Sequence, residues 1–127
     1  MGILYVYGIP TCGTCKKALA WLATEAPAGL TYEWINTREL PPDRAAIAQW
    51  VEQLGFGPLR NTSGQAYRAL GPERQTWGAA EWIEAFAADA MLLKRPLFVR
   101  GGGAIAVGFR PNDAAWRSQV LTEAPED

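Results

Sequence analysis

The chain contains no histidine. That absence excludes Ser-His and Cys-His nucleophilic catalysis and any metal site that needs imidazole, and it leaves the chemistry to sulfur, carboxylate and guanidinium groups. Cysteine is scarce, with two in 127 residues. Two are too few for the disulfide framework by which small secreted proteins replace a missing core. There is no run of about 18 apolar residues such as a membrane-spanning helix requires. The stretch Met1 to Gly8 has neither the basic region nor the long apolar segment of a signal peptide. A cytoplasmic, monomeric protein with no membrane association is therefore expected. An excess of one charge is missing too: 12 basic residues stand against 13 acidic ones, for a net charge of −1. The arginines are spread along the chain instead of forming a block, so direct nucleic-acid binding is not expected.

A chain of this length buries roughly two-thirds of the surface its unfolded form exposes, enough for a core without staples. No repeat, linker or low-complexity segment divides it. One domain over residues 1–121 is expected, followed by a flexible tail at 122–127. Ile3 to Tyr7 is an apolar, β-rich run closed by Gly8-Ile9-Pro10, which predicts a buried strand and a tight loop. Cys15, Ala18, Leu19 and Leu22 then recur at helical spacing, with a stop near Ala26-Pro27. Leu30 to Ile35 predicts a second strand. Pro41-Pro42-Asp43 suits a helix's first turn, and Ile47, Trp50, Val51 and Leu54 form its buried stripe up to a stop at Gly55.

Gly57-Pro58 begins a loop carrying Arg60-Asn61-Thr62-Ser63-Gly64, followed by a short helical piece around Tyr67 to Leu70. Trp82, Ile83, Phe86, Ala87 and Ala90 predict a further helix. Leu97 to Val99 and Ala104 to Val107 predict a hairpin turned by Gly101-Gly102-Gly103, and Pro111-Asn112 opens a last helix containing Trp116 and Val120. The order is strand, helix, strand, helix, helical insertion, β-hairpin, helix. That is the order of an α/β thioredoxin-like fold with a mixed four-stranded sheet.

Cys12-Gly13-Thr14-Cys15 falls between the first strand and the first helix. Cys12 is thereby expected at a helix N-terminus, where unpaired backbone N–H groups face its sulfur and stabilise a thiolate. Such cysteines are commonly lowered from about 8.5 to about 3.5–7.5, which makes Cys12 the expected nucleophile. Cys15, one turn on and facing inward, is the expected resolving thiol. Two blander readings compete. Half of a zinc site would need a second cysteine pair or histidines, neither of which exists here. Two inert core cysteines remain an alternative, because cysteine often packs as a small hydrophobe; the strand, Pro-x-Cys and amphipathic-helix context favours the redox reading.

Tyr7-Gly8-Ile9-Pro10-Thr11-Cys12-Gly13-Thr14-Cys15-Lys16-Lys17-Ala18, then Leu93-Lys94-Arg95-Pro96-Leu97, then Val107-Gly108-Phe109, with Asn61-Thr62 between them, resembles the family of glutaredoxin-dependent arsenate reductases and Spx regulators. The match spans about residues 3 to 118. The resemblance implies a cis bond between Arg95 and Pro96, beside Cys12. Arg95 would then bring a guanidinium to the thiolate and could bind an oxyanion bidentately. The family's loop carries an arginine just after Asn-Thr, where this chain has Ser63; Arg60 is the candidate substitute. Arg110 and Lys16 are further candidates for binding an anionic substrate, with a solvated surface as the alternative for each.

The resemblance implies two functions. In one, a thiol-dependent reductase needs no metal or bound cofactor: Cys12 attacks an oxidised substrate or arsenate, Cys15 resolves the adduct, and glutathione, thioredoxin or glutaredoxin restores the dithiol. Glutathione-dependent arsenate reductases place serine or a similar residue where Cys15 stands, whereas Spx-like proteins carry the CxxC pair, so this chain looks closer to Spx. The other function is accordingly a redox-sensing regulator that binds the RNA polymerase α subunit. A member that keeps the fold and has lost both activities is a third alternative.

Overall fold

The computed structural model of the protein describes residues 3–101 and 103–122, with residues 104 and 105 described by their backbone alone. Four strands carry the fold: β1 (Leu4–Gly8), β2 (Tyr32–Asn36), β3 (Leu97–Arg100) and β4 (Gly103–Val107). They form one mixed sheet in the order β2-β1-β3-β4. β1 runs parallel to β2 and antiparallel to β3, and β4 returns antiparallel to β3. Helices α1 (Gly13–Glu25), α2 (Arg44–Leu54), α3 (Phe56–Leu59), α4 (Gln65–Arg68), α5 (Ala79–Ala88) and α6 (Ala114–Leu121) complete it, with 3-10 turns at Pro72–Thr76 and Ala90–Leu92. This is the thioredoxin-like arrangement. Gly102, the middle of the expected hairpin turn, and residues 123–127 of the expected tail lie outside the described residues; Thr122 closes α6 through its N–H to the Ser118 carbonyl.

The two-residue period of a strand sorts the core into two layers. Leu4, Val6 and Phe98 point to one face of the sheet, where they meet Ala18 and Leu22 of α1 and Trp116 and Val120 of α6. Leu97 and Val99 point to the other, against Ile47, Trp50 and Val51 of α2 and Trp82 and Phe86 of α5. At roughly 1.5–3 kcal/mol for each large apolar side chain removed from water, these layers supply the main force that holds the sheet.

Several boundaries differ from the sequence expectation. Pro41 and Pro42 precede the helix instead of entering it: α2 starts at Arg44, and Asp43 is its N-cap, accepting the Ala46 N–H at 2.8 Å. A cap oxygen satisfies a donor that the first turn leaves open, which a proline cannot do. The helix does stop at Gly55, whose φ of 80° is the left-handed region open to glycine. Leu54 is only half-buried. Ala87 is exposed, and Ala90 belongs not to α5 but to the following 3-10 turn, because Asp89 ends α5 and caps the new turn through the Met91 N–H at 2.9 Å. Leu30 is buried ahead of β2, not within it.

Candidate active site

β1 delivers the dithiol. Its last residue, Gly8, lies so close to the core thiol that a Cβ there would stand 2.5 Å from Cys15 Sγ and 2.8 Å from a ring carbon of Trp34. Only glycine fits. Thr37 pins the Gly8 carbonyl with both its N–H (2.8 Å) and its hydroxyl (3.3 Å). The chain then turns through Ile9-Pro10-Thr11, with the Cys12 N–H donating to the Ile9 carbonyl at 3.2 Å, and α1 begins.

Cys12 is the N-cap of α1. Its Sγ accepts the backbone N–H of Cys15 at 3.3 Å, the place that a serine or aspartate oxygen takes in an ordinary cap. The two cysteines are free; Cys12 is partly exposed and Cys15 buried. Their thiols titrate in opposite directions. Partial burial acts to raise Cys12, but the Cys15 thiol and N–H, the Arg95 charge and the Thr14 N–H outweigh it and bring Cys12 below the usual thiol range. Burial, followed by the hydrogen bond to Cys12, pushes Cys15 up to about 12. A thiol shifted toward thiolate beside a partner that keeps its proton is the division of labour a redox dithiol needs.

Cys12 opens into a cavity of about 470 Å³. Its wall carries Lys94, Arg95 and Arg110, together with Thr14, Asn61, Ser63 and Gly64, and no acidic side chain is among the described lining residues. The Arg95–Pro96 peptide bond is cis. Arg95 Nη1 donates to the carbonyls of Met91 and Leu93, both at 3.3 Å, so its guanidinium is held from behind. Arg110 reaches the rim on the loop after β4. That loop is set by Gly108, at φ 78°, whose carbonyl accepts the buried Trp116 indole N–H at 3.0 Å.

The sequence candidates thus separate. Cys12, Arg95 and Arg110 share the cavity, with Cys15 directly behind Cys12. Lys16 is exposed on the first turn of α1 and is not among the lining residues. Arg60 is not among them either: its guanidinium lies 5.4 Å from the Trp82 ring centre and 5.6 Å from that of Phe56. The reason is local. Arg60 is extended and bridges Leu93, so its side chain and that of Asn61 leave the backbone on opposite sides, and only Asn61 faces the cavity. The cation that sequence reasoning missed is Lys94, whose Cε would lie 3.4 Å from a Cβ on Gly108. Its position directly before Arg95 was the available signal. Among the described residues no group of three or more His, Cys, Asp or Glu side chains gathers as a metal would require, and no helix is long and apolar enough to cross a membrane.

Comparison with known proteins agrees with this geometry. The chain is 35% identical over 111 residues to the uncharacterized protein YusI of Bacillus subtilis, covering 84% of this chain and 91% of that one. The crystal structure of a possible arsenate reductase from Streptococcus mutans superposes with a TM-score of 0.76 at 35% identity, covering 87% of this chain and 93% of the other. The solution structure of an arsenate reductase (ArsC) related protein from Brucella melitensis gives 0.70 at 29% identity, over 86% and 88%. Residues 7–116, which run from the end of β1 through the dithiol, the cis-proline and into α6, match the ArsC family as a whole, and the chain belongs to that family.

Proposed function

We propose that this protein is a thiol-disulfide reductase in which Cys12 attacks and Cys15 resolves. The observation that carries the reading is the Cys12 sulfur at the α1 N-cap, drawn toward thiolate by the Cys15 N–H while the Cys15 thiol stays protonated behind it. With a disulfide substrate, the Cys12 thiolate forms a mixed disulfide and expels one substrate sulfur as a thiolate. Cys15 loses its proton to solvent and attacks Cys12, and the second substrate sulfur leaves. The substrate gains two electrons, and the protein is left with a Cys12–Cys15 disulfide. With arsenate, Cys12 displaces a hydroxyl from arsenic, and the attack of Cys15 breaks the S–As bond so that its electron pair departs with arsenite.

The three cations around Cys12, with no carboxylate among the described lining residues, favour an anionic partner, either an oxyanion or a thiol that carries carboxylates such as glutathione. Thioredoxin, glutaredoxin or glutathione then returns the dithiol. The competing reading, a redox switch that resembles Spx and binds the RNA polymerase α subunit, shares the disulfide but not the turnover. Thiol labelling with mass spectrometry across a redox titration, followed by assays with arsenate or small disulfides and each donor, separates the two. A reversible Cys12–Cys15 disulfide with turnover, both lost in Cys12→Ser, is expected. A reversible disulfide with no turnover on any donor favours the switch, and no disulfide at all overturns both.

A further inference from the structure

Arg95 does not hold itself. Of its described hydrogen bonds, both run from Nη1 to main-chain carbonyls of the segment just before it, Met91 and Leu93, and its buried Nε has no partner. Whether the guanidinium faces Cys12 therefore depends on where the Ala90–Leu92 turn puts the Met91 carbonyl. A single 3-10 turn of three residues has poor hydrogen-bond geometry and little stability of its own. Two residues outside the dithiol supply what it lacks. Asp89 caps it, accepting the Met91 N–H at 2.9 Å. Asn61 spans it from the opposite loop: its backbone N–H donates to the Leu92 carbonyl at 2.8 Å, and its side-chain Nδ2 donates at 3.5 Å to the Met91 carbonyl that Arg95 also uses.

We infer that Asp89 and Asn61 are positioning residues, a bracket that fixes the Met91 carbonyl and through it aims Arg95 at the Cys12 sulfur. The inference rests on Cys12 being the nucleophile, and it gives a role to the Asn61 side chain, which has no described hydrogen bond to either thiol. It also accounts for the glycine at position 64. A Cβ there would come 2.6 Å from Asn61 Nδ2 and would displace the amide from the carbonyl it serves.

The groups that face Cys12 are Cys15 from α1, Lys94 and Arg95 from the segment before β3, and Arg110 from the loop after β4. Asp89 would act on Cys12 in opposite senses by the two available routes. Through space, removing its negative charge can only favour the thiolate. Through the bracket, removing its oxygen frees the turn, lets Arg95 drift and disfavours the thiolate. The sign of the effect therefore identifies the route.

The test is the pH titration of Cys12, read as thiolate absorbance at 240 nm and as the rate of iodoacetamide labelling located by mass spectrometry, on the full chain with thermal unfolding recorded for each variant. Asp89→Ala and Asn61→Ala should each raise the Cys12 midpoint by about a half to one pH unit, slowing labelling below it about threefold to tenfold. Asp89→Asn keeps the capping oxygen without the charge and should leave the midpoint at or below that of the wild type. In an Arg95→Ala background neither alanine variant should move the midpoint further, because the group they aim is gone. A lower or unchanged midpoint in Asp89→Ala, or a full effect of Asn61→Ala that survives the loss of Arg95, overturns the bracket. Should either alanine variant fail to fold, Asn61→Ser, which removes the Nδ2 donor with a smaller change of shape, must reproduce the rise. A wild-type Cys12 that titrates like free cysteine would instead overturn the nucleophile assignment, and the bracket with it.

Discussion

Two regions of this molecule use arginine in opposite ways. Around Trp82, which is fully buried, Phe56 and Tyr67 stack and Trp77 and Phe86 pack at steeper angles, and the guanidinium groups of Arg60 and Arg74 lie on the rings, Arg74 at 4.7 Å from the Tyr67 centre. These cations close an aromatic cluster, so their charge is absorbed by π faces. Around Cys12, Arg95 and Arg110 face an open cavity with no described carboxylate on its wall. Their charge is left for a thiolate or an incoming anion. The same side chain is thus packing in one place and electrostatics in the other, and what separates the two roles is whether an aromatic ring or a sulfur lies within reach.

The comparison breaks hardest at Trp82. Trp82→Ala should cost about 3–5 kcal/mol of stability by urea denaturation, since it empties the centre of the cluster and leaves Arg60 without its ring. A loss below about 1 kcal/mol would mean the neighbouring rings collapse into the gap and the arginine does not depend on them.

Arg95→Ala should leave stability nearly intact and change reactivity instead. Because Arg95 helps lower the Cys12 pKa, its removal moves the midpoint up. As pH falls through that midpoint the thiolate disappears, so at any pH below it labelling slows, by about tenfold for each pH unit the midpoint rises. Cys15, at about 12, stays protonated over the neutral range and should add nothing to the profile. An unchanged pH profile would mean that Arg95 serves only the fold.

The smallest effect sharpens the contrast. Arg60→Ala should cost about 1 kcal/mol, between the worth of an exposed cation–ring contact and that of a desolvated one, and should leave the Cys12 midpoint where it is. A displaced Cys12 midpoint in that variant would return Arg60 to the anion site that its sequence position first implied.

Much of the fold was legible because its signals are local. A β-rich run, Gly-Ile-Pro, CxxC and an amphipathic stretch are adjacent in the chain, so β1, the dithiol and α1 could be read together. Helical spacing likewise marked Trp50 as core and placed Trp82 and Trp116 on helices, where both prove buried. Of the short elements only one was legible, the helical piece expected around Tyr67 to Leu70, which forms as α4 at Gln65–Arg68. A four-residue helix such as α3, or the 3-10 turns at Pro72–Thr76 and Ala90–Leu92, offers too few residues for a period to emerge, and their existence depends on partners distant in sequence.

The sequence by itself determined that the candidate chemistry is sulfur, that one thiol sits at a helix start with the other a turn behind it, and that an Arg-Pro pair follows in family order. Tertiary structure alone decided which cations share a cavity with that sulfur. Arg60 was lost to Trp82, 22 positions away, and Lys94 entered the cavity across Gly108. A charge has no periodicity to read. Its role is set by what the fold brings within a few ångströms of it, and that is a property of the packed chain.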